Sequence, residues 1–120
     1  YCELSDFPAQ HCSPFVRSSV LPLLDGDAVP HPVAARSFAQ WLSARSVGAP
    51  AVLVSDSGFD RWAVADLLGS EDLPEGVTWL RVPVAYELLD ETAHELNLRR
   101  HHALDDARAL RHAVLTRGKQ

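Results

Sequence analysis

Apolar residues recur along the chain with two periods, and each period predicts an element. After the turn Ser5-Asp6-Phe7-Pro8, Ser13 stands where a helix N-cap belongs and Pro14 at the first helical position. Phe15, Val16, Val20, Leu21 and Leu24 then give an apolar face at helical spacing, stopped by Asp25-Gly26-Asp27. Val33, Ala34, Phe38, Trp41 and Leu42 predict a second helix from about His31 to Arg45 with one buried stripe, ended by Gly48-Ala49-Pro50. Ala51-Val52-Leu53-Val54 is a short, partly β-branched apolar run between breakers, the pattern of a buried strand. Ser55-Asp56-Ser57-Gly58 turns the chain into a helix from Phe59 to Leu68, closed by Gly69. Thr78 to Val84 alternates and predicts a strand, with Pro83 marking an edge or an end. Tyr86 to Leu96 reads as a short helix. From Leu98 to about Thr116 the pattern gives a loop and a final helix with Ala107, Leu110, Ala113 and Val114 on its apolar side. Tyr1 to Leu4 reads as a strand already under way at the first residue. The alternation of strands and helices predicts an α/β layered domain whose sheet is at least partly parallel.

Composition narrows the class without changing that picture. The chain has 120 residues, enough for one domain spanning 1–120, and its 47% apolar and 22% charged residues are those of an ordinary globular chain. Its apolar runs last only a few residues, too short to span a bilayer, and the opening residues carry no secretion signal. A cytoplasmic protein with Cys2 and Cys12 as free thiols is the expectation. The formal charge of −5 argues against a domain that grips nucleic acid by a broad basic surface. It leaves room for a nuclease whose acidic site is neutralised by metal ions.

The candidate chemistry lies at the start of the last helix, in His101-His102-Ala103-Leu104-Asp105-Asp106-Ala107. Adjacent aspartates on a helix lie about 100° apart and do not easily face one ion together. A histidine just before the helix can fold back over its first turn and bring an imidazole near a carboxylate. Carboxylates hold a hard cation such as Mg²⁺ or Mn²⁺, and a neutral imidazole nearby can take a proton from water. On spacing alone a plainer reading stays open: Asp105 and Asp106 favour the helix N-terminus electrostatically, and the histidines are solvated loop residues.

The run His101 to Leu110 resembles the third motif of the DEDDh, DnaQ-like 3′–5′ exonucleases, in which a histidine precedes a metal-binding aspartate by five residues. Val52 to Trp62 resembles the family's middle motif, where a strand enters a loop and a Phe-Asp pair, here Phe59-Asp60, opens a helix. The opening residues through Leu24 resemble the region after the third strand in small bacterial exoribonuclease-like members. The resemblance implies an RNase H-like fold, a mixed sheet with flanking helices. It implies His101 as general base, and Asp106 and Asp60 as ligands of Mg²⁺ or Mn²⁺, two ions in a complete site. The implied substrate is the 3′ end of single-stranded RNA or DNA, RNA slightly favoured, with nucleoside monophosphates released.

The family's first motif, Asp-x-Glu on a strand, is not in the chain: Glu3 lies on the first strand, but Tyr1 stands where the aspartate belongs. The expectation is therefore an N-terminally incomplete domain, with two strands and that motif upstream. The rival is a non-catalytic domain of the same fold that binds protein or nucleic acid. No membrane partner is expected, and a homodimer is compatible with the pattern. Arg99 and Arg100 suit either a phosphate or plain solubility, and Trp62 either a stacked base or the core. Trp41 and Trp79 read as core or interface. His11 and His31 read as loop or capping residues, and His94 and His112 as helix residues without an obvious partner.

Overall fold

The computed structural model describes residue 1 and residues 3–117. Four strands and four α-helices follow one another: β1 (Glu3–Leu4), β2 (Ala28–Val29), α1 (His31–Arg45), β3 (Ala51–Ser55), α2 (Gly58–Leu68), β4 (Val77–Arg81), α3 (Tyr86–Glu95) and α4 (Ala103–Arg117). The chain divides into two units. Of the described residues, a helical unit gathers Tyr1, Phe7–Asp27 and residues 84–117; a sheet unit holds residues 3–6 together with Ala28–Pro83. The protein is thus α/β, with parallel pairing, as the alternation predicts. Its described strands form two parallel pairs, β1 with β2 and β3 with β4, where one mixed sheet was expected. No described helix is long and apolar enough to cross a membrane.

In the sheet unit, β3 and β4 pair in register from Ala51 opposite Val77 to Ser55 opposite Arg81. One more ladder bond, Val82 N–H to the Ser55 carbonyl (2.8 Å), ends the pairing before Pro83, which has no N–H to give. Val52 and Val54 point to one face with Thr78 and Leu80, and all four are exposed. The buried strand expected at Ala51–Val54 is therefore covered on one side only. β2 escapes the sequence pattern because its two residues are too few to display a period. Helix α1 buries Ala34 and Leu42 with Phe38 half-buried between them, while Val33 and Trp41, expected on the same stripe, face outward. Its first N–H, that of His31, is capped across the unit by the Asp6 carboxylate (3.0 Å and 3.2 Å), because Pro30 offers no side-chain cap.

In the helical unit, Leu89 and Ala93 of α3 pack on Ala109, Leu110 and Ala113 of α4, with Val84, Leu88, Leu98 and Val114 around them. Burying each leucine contributes roughly 2 kcal/mol. Ala107, expected on the apolar side of α4, is exposed, and Ala109 takes that place. The helix expected from Ser13 begins as read, with Val16 N–H on Ser13 Oγ (3.3 Å). It then winds as a π turn over Val16–Val20 and a 3₁₀ turn over Leu21–Leu23. Pro22 cannot donate the i→i−4 bond that regular winding needs there. Cys12 is a free thiol; the expectation for Cys2 lies outside the described residues.

Both α2 and α3 end in Schellman turns. At α2, Gly69 takes a left-handed φ of 67° and Ser70 N–H reaches back to the Ala65 carbonyl (3.1 Å). At α3, Asn97 takes φ 53° and Leu98 N–H reaches the Ala93 carbonyl (2.8 Å). The second turn fixes where the chain leaves α3, and so where Arg99 to His102 stand.

Candidate functional site

Residues Arg99 to Asp106 span the end of the link from α3 and the first turn of α4. His101 has a left-handed φ of 66°, uncommon for a residue with a Cβ. That twist turns its backbone N–H toward the helix it precedes, onto Asp106 Oδ1 (3.3 Å). The helix ladder starts one residue later, with Asp106 N–H on the His102 carbonyl (2.9 Å). The contact of His101 with Asp106 is thus made by the backbone N–H, and the imidazole expected beside the carboxylate is not placed there. The ring stays exposed and meets the edge of Phe15 at 5.2 Å between ring centroids.

The two adjacent aspartates part as the helical angle requires. Asp105 is buried at 4% exposure and accepts from Arg99 Nε (2.7 Å), Arg99 N–H (3.3 Å) and Arg108 Nη1 (3.1 Å). The Arg99 guanidinium holds the Asp105 carboxyl below the usual aspartate range and, in return, Arg99 above the usual arginine range. Arg99 also reaches Asp25 (3.0 Å) and lowers that carboxyl as well. Asp106 is half-buried and accepts from Arg100 Nη1, while Arg100 Nε donates to Asp90 (2.6 Å). Both arginines considered for phosphate binding are thus engaged by carboxylates.

His102, which the family pattern leaves as a variable position, is the buried histidine of the pair at 1% exposure. Its Nδ1 lies 3.3 Å from Arg99 Nη2 and its Nε2 3.4 Å from Asp25 Oδ2, and the ring of Tyr1 leans on it at 4.9 Å. The sequence carries one signal for this. Asp105, Ala109 and Ala113 are four residues apart in turn, so the buried stripe of α4 runs back onto Asp105.

Asp60, the third expected site residue, belongs to the sheet unit. It sits in the first turn of α2, whose N-cap Ser57 accepts from Phe59 N–H (3.2 Å). Its carboxyl is exposed by area, yet desolvation against the helix and then the nearby Asp56 raise its pKa. A carboxyl raised beside a like charge gains from a cation. Carboxylate oxygens are the donors that Mg²⁺ and Mn²⁺ take. At Asp106 the described hydrogen bonds, from Arg100 and from the His101 N–H, fall on Oδ1, and a cation held by this carboxylate would share it with Arg100.

Trp62, read as either base-stacking or core, is 76% exposed beside Phe59 at 80%. Trp41 is exposed with Arg45 over its ring (5.7 Å), and Trp79 is half-buried. Comparison with known proteins found no matching family model, no similar curated protein and no similar solved structure.

Proposed function

We propose that the chain is a metal-dependent 3′–5′ exonuclease domain of RNase H-like fold, acting on single-stranded nucleic acid with RNA slightly favoured over DNA. The observation that carries the reading is the His101–Asp106 arrangement: an exposed imidazole whose own backbone N–H rests on the carboxylate five residues on. His101 takes the proton of the attacking water as general base. The water oxygen bonds to the terminal phosphorus, and the bond from phosphorus to the neighbouring 3′ oxygen breaks. A nucleoside monophosphate leaves, the departing 3′ oxygen of the shortened strand takes a proton from solvent to become a hydroxyl, and His101 returns its proton to solvent. By the resemblance, Asp106 and Asp60 are the residues we assign as carboxylate ligands of Mg²⁺ or Mn²⁺. When bound, such ions polarise the phosphodiester and stabilise the charge that develops on it.

A second reading has its own support. Arg100 already neutralises Asp106, and Arg99 and Arg108 neutralise Asp105, which suits a domain of the same fold that binds partners without catalysis. One assay separates the two: the protein with Mn²⁺ and a 5′-labelled single-stranded RNA. Catalysis gives a ladder of stepwise-shortened products, and His101→Ala and Asp106→Ala each slow it by about 10²-fold or more. Shortening that persists undiminished in both variants removes the site assignment, and an intact strand with the parent protein favours the binding domain.

A further inference from the structure

Negative charge is unevenly placed along the chain. From Ser55 to Glu75 there are six carboxylates and one arginine, whereas the rest of the sequence holds ten acidic and ten basic residues. The whole formal excess of −5 therefore resides in α2 and the turns on either side of it. The one cation of the segment, Arg61, lines the groove beside α2, with its guanidinium tied to the loop. Arg61 Nη2 donates to the Glu71 carbonyl, and Nη1 is buried without a hydrogen-bond partner among the described residues.

The same segment holds an open groove of about 1000 Å³ between the C-terminal half of α2 and the loop after it. Trp62 forms one wall, and Asp66, Glu71 and Asp72, all exposed, stand around it. The loop is held in place by the Schellman turn at Gly69, by Asp72 N–H on Ser70 Oγ (3.1 Å) and by the Arg61 bond. Phe59, edge-on to Trp62 at 6.5 Å between ring centroids, extends the aromatic surface one turn back along the helix.

We infer that this groove docks a basic polypeptide segment, with an Arg or Lys side chain laid over Trp62 and ringed by Asp66, Glu71 and Asp72. A cation over an indole face gains from the ring quadrupole, and guanidinium adds stacking and forked hydrogen bonds to carboxylates. The concentrated negative field steers such a partner in and repels a bare phosphate backbone. This role goes beyond the hydrolase reading, and none of the three groove carboxylates is assigned to catalysis.

The test is fluorescence anisotropy of a dye-labelled Arg-Gly repeat peptide titrated with the whole chain at physiological ionic strength. The combined variant D66N/E71Q/D72N is expected to weaken binding about tenfold or more, as loss of complementary charge does. Trp62→Ala is expected to weaken it about threefold, and Trp62→Phe to retain most of it, since phenylalanine keeps a π face. The charge-matched control on α3, E87Q/E91Q/E95Q, is expected to stay within about twofold of the parent, because those charges lie outside the groove. Equal losses in the two triple variants, no effect of Trp62→Ala, or equal binding of a Glu-Gly repeat peptide would each overturn the proposal. So would self-association of the chain through Trp62 that the basic peptide fails to compete away, which would make a second copy the occupant. Far-UV circular dichroism checks the variants; if the groove triple is unfolded, Glu71→Gln alone with Trp62→Ala decides. Loss of peptide binding with RNA shortening intact separates this proposal from the catalytic one.

Discussion

The starts of α2 and α4 each carry carboxylates in the first helical turn, and the two surroundings treat that charge in opposite ways. At α4, Arg99, Arg100 and Arg108 converge on Asp105 and Asp106, and the Asp105 carboxyl is held below its ordinary range. At α2, Asp60 is next to Asp56, the single arginine turns toward the loop, and the carboxyl is pushed up. Both helix dipoles favour the acids equally in kind. The difference lies in ion pairing: the start of α4 is held together by salt bridges, whereas at α2 the Arg81 guanidinium donates to the Asp56 carbonyl (3.4 Å) and no ion pair reaches Asp60 among the described residues.

Breaking the stronger side should give the largest effect. Asp105→Asn removes the buried charge that Arg99 and Arg108 pair with and replaces one accepting oxygen with an NH2 that faces an arginine donor, so Tm should fall by roughly 5 °C or more in thermal unfolding. The pH dependence follows from the lowered carboxyl. In acid the unfolded chain takes up the proton before the folded one, so Asp105 contributes stability that is complete above the unfolded pKa. That contribution is lost as pH falls through the lower, folded pKa. The Asn variant should show a shallower fall in Tm across that acid window.

On the α2 side the backbone cap outweighs the charge. Ser57→Ala removes the hydroxyl that accepts from Phe59 N–H and should cost about 1 kcal/mol in denaturant unfolding. Asp60→Asn should have the smallest effect and the opposite sign, raising Tm by about 1 °C at neutral pH. A carboxyl whose folded pKa lies above its unfolded one is a liability once pH exceeds both, and the amide removes it. A fall in Tm on Asp60→Asn would mean that counter-charge already reaches α2, and the contrast with α4 would dissolve.

Much of the framework was legible in the sequence because it rests on long, periodic segments with clear stops. Helix α1 has the expected bounds, His31–Arg45, and Ser13, Gly69 and Pro83 do the local work their residue types allow. Two features were out of reach for a stated reason. β2 has only two residues, and the outward turn of Trp41, Val52 and Trp62 depends on which faces other elements cover. At the site, a contact between His101 and Asp106 was readable from their spacing, but not that the backbone N–H would make it. The alanine spacing of α4 points back to Asp105, whereas the burial of His102 was not readable, because a histidine before a helix looks like a surface residue until Arg99, Asp25 and Tyr1 are placed around it.

The two parallel pairs have a consequence for how quickly the chain can find its structure. β1 and β2 pair positions 25 apart, and β3 and β4 pair positions 26 apart, so the entropy of closing either loop is nearly the same. What differs is the filling. Between β3 and β4 lies α2, an eleven-residue helix with a cap at each end, which shortens the flexible chain that must be searched. Between β1 and β2 lie single helical turns and Pro22. Of the two crossovers, β3-α2-β4 is the one whose closure is assisted by local structure, and it offers the better nucleus on which the slower pair can assemble.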